Sequence, residues 1–152
     1  MKKGLLIAGR VILGAIFVVA AYLKLRDPWI EFAGELNAFE LLPDWALEPI
    51  ARTLPWAELA LGVGLISGLL QRWFSLTASL LLTLFFSVML RSYLAGLKID
   101  CGCFGPGDAL GPKTLVRDFS MLVLAVVVTV ASFRMESGPA RGTTEAPEAA
   151  IT

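Results

Sequence analysis

Hydrophobic residues along this chain fall into long runs that are separated by short polar segments. Four runs approach the length of about 20 residues that a helix needs to cross the hydrocarbon core of a bilayer. We predict spans over residues 4–23, 55–70, 73–94 and 114–133. Backbone polar groups in lipid must pair within the protein, so each span is predicted to be helical. The pattern therefore predicts an all-α integral membrane protein, a four-transmembrane-helix bundle.

The segment between the first two spans is predicted to contain a short amphipathic helix. Asp27-Pro28 is typical of a helix start, and Leu42-Pro43 of its end. Apolar residues recur between them at helical spacing, namely Trp29, Phe32, Ala33, Leu36 and Phe39. Leu54-Pro55 is expected to mark entry into the second span, and Gln71-Arg72 to form a tight link between antiparallel spans two and three.

These boundaries divide the chain into a membrane domain, residues 1–134, and a tail, residues 135–152. The tail is rich in Ser, Gly, Pro, Ala, Thr and Glu, a composition typical of disorder. Lys2 and Lys3 favour a cytoplasmic N-terminus, although the Lys and Arg counts of the two sides are balanced. We expect a bacterial inner-membrane protein with both termini cytoplasmic and the link between spans three and four periplasmic. The first run also fits a cleaved signal, but Arg10 within it favours a retained helix.

Composition narrows the function classes. The chain is 57% hydrophobic and 17% charged, with a net charge of +0, so it lacks the basic patch typical of nucleic-acid binding. It has no histidine, the commonest metal ligand, and therefore no His-ligated haem. No cofactor is evident from the residues, and the lipid bilayer is the first predicted partner.

Both cysteines lie in Cys101-Gly102-Cys103-Phe104-Gly105, between the third and fourth spans. A disulfide across one residue is expected to be strained, and strained disulfides are labile and oxidising. We therefore assign Cys101 and Cys103 as candidate catalytic residues for thiol–disulfide exchange. A turn with idle thiols and a two-thiolate copper(I) clip remain alternatives. Two cysteines fall short of a four-ligand structural zinc site, and no metal site is assigned.

Charged residues near the ends of the spans are predicted to form a polar rim around the cysteines. In an antiparallel bundle they lie toward one membrane face, and they are Lys24, Glu58, Arg91, Arg117 and Asp118. Ionisable groups at membrane depth usually pair or line a cavity, so Glu58 is expected to contact one of the cations. In the alternative interpretation, the cations extend to the interface and Glu58 complements a helix N-terminus.

The motifs together resemble the methylamine utilisation MauE family, within the wider DoxX-like group of four-helix membrane proteins. The matching residues are Leu54-Pro55-Trp56-Ala57-Glu58, Gly62, Cys101 to Gly105 and Arg117-Asp118, with Arg10, Gly14, Lys24 and Leu42-Pro43. The resemblance implies periplasmic cysteines that assist disulfide formation in a methylamine dehydrogenase subunit, beside a thioredoxin-fold partner. DoxX-like relatives include membrane subunits linked to quinone-dependent sulfur oxidation, which makes a quinone the candidate electron acceptor. The family pattern has Arg-Asn where this chain has Arg117-Asp118, which makes an acid available near the thiols.

Three functions follow as expectations. The first is a membrane thiol–disulfide oxidoreductase or maturation factor that works with a periplasmic thioredoxin-fold protein. The second is a non-catalytic membrane subunit or scaffold of a quinone-linked redox complex, in which the loop docks a partner. The third is copper handling. A measured redox potential distinguishes the first from the second, and metal titration with thiol protection identifies the third.

Overall fold

A computed structural model describes residues 3–101 and 109–136, and these residues form five helices. In chain order they are α1 (Lys3–Arg26), α2 (Trp29–Ala38), α3 (Asp44–Ser67), α4 (Gln71–Leu94) and α5 (Pro112–Glu136). Within these residues β pairing is limited to one bridge, between Asp100 and Ala109. The predicted all-α class is confirmed.

Three of these helices are long and apolar enough to cross a membrane, over Gly4–Arg26, Gln71–Leu94 and Pro112–Arg134. The chain is thus a multi-pass membrane protein. Helix α3 has 24 residues and a length of about 36 Å, but its first half carries Asp44, Glu48 and Arg52. It falls outside this group of three, and the fourth crossing stays a prediction.

Helix α3 begins at Asp44, ten residues before Leu54-Pro55, so the helix starts ahead of the predicted entry into the span, which stays a prediction. Pro49 and Pro55 both lie inside the helix, where each removes one backbone donor at a cost of about 3 kcal/mol. Tertiary packing outweighs this cost, because Ala51 on the early part of α3 is buried in a cluster with Phe32 and Leu36 of α2. The early half of α3 and α2 therefore form one packed unit.

Helix α2 confirms the predicted amphipathic helix with different ends. Pro28 is the N-cap and makes no side-chain capping bond, so Asp27 does not cap as expected. The helix ends at Ala38, before Leu42-Pro43, and Glu40 follows with a positive φ of 53°. Its buried face packs on α3, rather than lying only on the membrane surface.

The turn between α3 and α4 comprises residues 68–70, whereas Gln71 and Arg72 belong to α4. Gly68 ends α3 with a φ of 76°, in the left-handed region that glycine adopts without strain. Arg10 of α1 reaches this turn, where it donates to Gln71 Oε1 at 3.2 Å and to the Ile66 carbonyl at 3.4 Å. Gln71 in turn donates to Ser132 Oγ of α5 at 2.9 Å, so polar contacts join four helices at this end.

The bundle is built from two closely packed pairs, α1 with α3 and α4 with α5. Gly14 and Gly62 let α1 and α3 approach, because a Cβ on either would lie 2.8 Å from the other's carbonyl oxygen. Leu13 and Leu65 are fully buried between the pairs, in one cluster with Ala125 of α5. This arrangement brings the C-terminal end of α1 beside the middle of α3.

Helix α5 extends to Glu136, so the first two residues of the predicted tail are helical. The rest of the predicted disordered tail, residues 137–152, lies outside the described residues.

Candidate functional site

The segment that carries Cys101 is held at its base by backbone pairing. Asp100 and Ala109 form an antiparallel bridge, and the Leu110 N–H donates to the Ile99 carbonyl at 2.8 Å. Thr114, in the first turn of α5, donates through Oγ1 to the Ala109 carbonyl at 2.9 Å. These bonds place Cys101 directly beside the start of α5. Cys103 lies outside the described residues.

Cys101 is buried, with 3% of its surface exposed, and packs in a cluster with Phe39 and Met89. The Arg117 guanidinium reaches its sulfur, with Nη2 3.7 Å from Sγ. A cation beside a thiol favours the thiolate, which is the nucleophilic form. Of the predicted rim residues, Arg117 is the one that lies beside the Cys101 sulfur in the described contacts.

Arg117 also contacts the neighbouring acid. Its Nε donates to Asp118 Oδ1 at 3.0 Å, and the Asp118 side chain is buried while that of Arg117 is partly exposed. Asp118 thus fixes the guanidinium that faces Cys101 and offsets part of its charge.

Lys24 and Glu58 form a second buried pair at the junction of α1 and α3. Lys24 Nζ donates to both carboxylate oxygens of Glu58, at 2.7 and 2.8 Å, and both side chains are almost fully buried. The ammonium also lies 5.2 Å from the centroid of the Phe32 ring of α2. The predicted cationic partner of Glu58 is therefore Lys24.

Arg91 does not join this group. It is exposed in the last turn of α4, and its side chain makes no hydrogen bond or ion pair within the described part of the chain. Its position fits the alternative in which a cation extends to the interface. The rim that the structure assembles consists of Lys24, Glu58, Arg117 and Asp118.

A cavity of about 50 Å³ opens between the two helix pairs, with charged residues at one end. Lys24, Glu58 and Asp118 line that end, and the remaining walls are apolar: Leu13, Ile16, Phe17, Ala20, Leu81, Leu82, Phe85, Phe86, Met89 and Met121. The sequence predicted the polar end. On α4 the wall includes Leu81, Phe85 and Met89, whose i, i+4 and i+8 spacing places them on one helix face.

The model of the family described as "Methylamine utilisation protein MauE" matches residues 2–131. This chain belongs to the MauE family. The MauE protein of Paracoccus denitrificans is 34% identical over 122 residues, covering 78% of this chain and 65% of that protein.

Other relatives agree. The MauE proteins of Methylorubrum extorquens and Paracoccus versutus are 35% and 41% identical over 99 residues, covering 64% of this chain and 53% of each. The chain thus spans between about half and two thirds of the length of these relatives. No solved structure matches the chain.

Proposed function

We propose that this MauE-family protein performs thiol–disulfide exchange with a partner protein through Cys101 and Cys103. The observation that carries the proposal is the contact between the Arg117 guanidinium and the Cys101 sulfur, 3.7 Å apart. A cation there favours a thiolate, and so makes that sulfur both a better attacking group and a better leaving group. The resemblance to the MauE family, which implies assistance in disulfide formation, supports the same chemistry.

The exchange transfers two electrons from the partner. A partner thiolate attacks one sulfur of a Cys101–Cys103 disulfide, a mixed disulfide forms, and the other cysteine sulfur leaves as a thiolate. The partner's second thiolate then attacks the mixed disulfide and releases the first cysteine. The partner ends with a disulfide, and Cys101 and Cys103 end as two reduced thiols.

The burial of Cys101 assigns the roles of the two cysteines in this proposal. With 3% of Cys101 exposed, an incoming protein thiolate has little access to its sulfur. Cys103 is then the residue that forms the mixed disulfide, and Cys101 is the sulfur that leaves toward Arg117. Arg117 would stabilise the negative charge on that leaving sulfur.

The remaining parts of the proposal concern place and partner. The protein would lie in the bacterial inner membrane with both termini cytoplasmic and the cysteines periplasmic, where disulfides persist. The partner would be a periplasmic thioredoxin-fold protein. By its relatives' printed names, the pathway served would be methylamine utilisation, with maturation of a methylamine dehydrogenase subunit as the outcome.

Single cysteine variants test the proposal. Cys101→Ser retains Cys103 and should accumulate a reductant-sensitive adduct that mass spectrometry identifies as a thioredoxin-fold protein. Cys103→Ser is the matched control and should trap little, since Cys101 is buried. Trapping by Cys103→Ser instead would reverse the two roles. If neither variant traps a partner while both insert normally, the loop serves as a docking element of a non-catalytic subunit.

A further inference from the structure

We infer that the cavity between the helix pairs binds a lipid-soluble quinone, which accepts the electrons of the reduced cysteines. This inference rests on the proposed function and names the acceptor that it requires. The chain has 2 cysteines in all, so after each exchange it has no second disulfide of its own to reoxidise them. An acceptor must therefore come from outside the chain.

Lys24 presents a buried ammonium group to the cavity. An ammonium group has three N–H donors, and two of those of Lys24 go to Glu58. The ammonium also lies 5.2 Å from the centroid of the Phe32 ring, and the side chain is 4% exposed and lines the cavity. A carbonyl oxygen in the cavity would accept the third N–H.

The apolar part of the cavity indicates what the rest of the ligand must be like. Beyond the charged end they are apolar, and Phe85 and Phe86 present aromatic rings. Ile16 and Leu82 are only half-buried, so the cavity reaches the outer surface of helices that are apolar enough to span a membrane. A flat apolar ring that carries carbonyl oxygens and enters from the bilayer fits this combination, and quinones have that structure.

The cavity is also continuous with the cysteine site. Met89 lines the cavity and packs in one cluster with Cys101. Asp118 lines the cavity as well and accepts from Arg117, whose other nitrogen contacts the Cys101 sulfur. Met89 and the Arg117–Asp118 pair therefore both connect the sulfur to the cavity.

The reaction balances as a two-electron, two-proton transfer. Cys101 and Cys103 lose two electrons and two protons as their S–S bond forms. The quinone gains two electrons and two protons and leaves as the quinol. Lys24 would hold one carbonyl oxygen during the transfer, with its charge balanced by Glu58.

The test measures binding separately from exchange. The Cys101→Ser/Cys103→Ser double variant, purified in lipid nanodiscs, should bind a short-chain ubiquinone saturably, as read by quenching of the fluorescence of the protein's tryptophans. Ala20→Leu adds volume inside the cavity and should weaken binding about tenfold or more. The matched control is Ala15→Leu on the exposed side of α1, which should leave binding unchanged.

Met121→Phe fills the cavity from α5 and should weaken binding as Ala20→Leu does, which covers the case in which Ala20→Leu fails to fold. Equal quinone binding in the filled variants and the control would overturn the inference. Protein that retains a phospholipid in native mass spectrometry and binds no added quinone would also overturn it. Partner trapping without quinone binding would support the proposed exchange and contradict the quinone site. Quinone binding without partner trapping would support the quinone site and contradict the exchange, so the two failures are distinguishable.

Discussion

Lys24 and Glu58 place two opposite charges where the surrounding side chains exclude water. Transfer of each charge out of water costs several kcal/mol, and short bidentate contacts at 2.7 and 2.8 Å recover that cost only while both partners remain. The pair is therefore more sensitive to loss of one member than an exposed pair. Because Lys24 and Glu58 also line the cavity, loss of either one changes the candidate site as well as the stability.

Glu58→Gln should destabilise the protein by about 3–5 kcal/mol, because the substitution leaves the Lys24 ammonium buried without its counter-ion. The matched control is Glu48→Gln, which breaks an exposed pair with Arg52 at 2.8 Å and should cost at most about 1 kcal/mol. Thermal unfolding in detergent measures both changes. Equal tolerance at the two sites would contradict the claim that the buried pair is more sensitive than the exposed one.

In a Cys103→Ser background, Arg117→Gln should slow alkylation of Cys101 by a small membrane-permeant reagent and move the rate–pH profile to higher pH. The neutral side chain removes the cation 3.7 Å from the Cys101 sulfur, so less thiolate forms at a given pH. Arg91→Gln, at an exposed position in α4, is the control and should keep the wild-type profile. A shift of the same size in both variants would mean that general surface charge, rather than contact with the sulfur, sets the reactivity.

At the scale of helices, α1 and α3 depend on the close approach at Gly14 and Gly62. Gly62→Ala would place a methyl group 2.7 Å from the nearest side-chain atom of Val18 and 2.8 Å from the Gly14 carbonyl, which forces the helices apart. The expected loss of stability is about 1–3 kcal/mol. Gly34→Ala in α2 meets no atom within 4 Å and should be neutral or stabilising. Thermal unfolding distinguishes the two, and equal effects would contradict the packing account.

Glu35 of α2 interacts electrostatically with Asp100 in the segment before Cys101, and this interaction depends on pH. Burial raises the pKa of Glu35, and the nearby carboxylate of Asp100 raises it further, while Lys24 opposes both effects. Glu31 and Asp27 add smaller contributions in the raising direction. A carboxyl whose folded-state pKa is raised is better accommodated when protonated. The contribution of the Glu35 carboxyl to stability is therefore full below its pKa in the unfolded chain, about 4.3. That contribution is lost as the pH rises through its pKa in the folded protein.

Glu35→Gln should therefore stabilise the protein at neutral pH by less than about 1 kcal/mol, since the side chain is only half-buried. The gain should disappear below about pH 4, where the wild-type carboxyl is protonated. Unfolding curves at neutral and acidic pH measure this difference. A gain that is the same at both values would rule out repulsion as its cause.

Prediction from sequence succeeded at the helix scale where charges or turn residues interrupt apolar runs. Lys24, Glu58 and Asp118 stand out in apolar surroundings, so their convergence could be predicted. Phe85 and Met89 lie in a helix that is apolar on nearly every side, so nothing in the pattern shows which face lines a cavity. The start of α3 was missed because Pro49 and Pro55 are typical helix breakers, and only packing against α2 explains why the helix continues through them.

At the scale of the whole molecule, two polar clusters lie at opposite ends of the bundle. Arg10, Gln71 and Ser132 join the helices at one end, while Lys24, Glu58, Arg117 and Asp118 lie at the other, beside Cys101 and the cavity. The first cluster ties helices together through ordinary hydrogen bonds. The second places charge beside a thiol and a cavity of about 50 Å³, so the candidate functional site lies at that end.

The central claim is that Cys101 and Cys103 form a reversible disulfide on the periplasmic side. Alkylation of intact cells with a membrane-impermeant thiol reagent, with and without prior reduction, tests the redox state and the side in one measurement. The account predicts little labelling before reduction and labelling after it, with no labelling in the Cys101→Ser/Cys103→Ser variant, which should also be inactive. Full labelling of aerobically grown cells without reductant, or full activity of the double variant, would contradict the account.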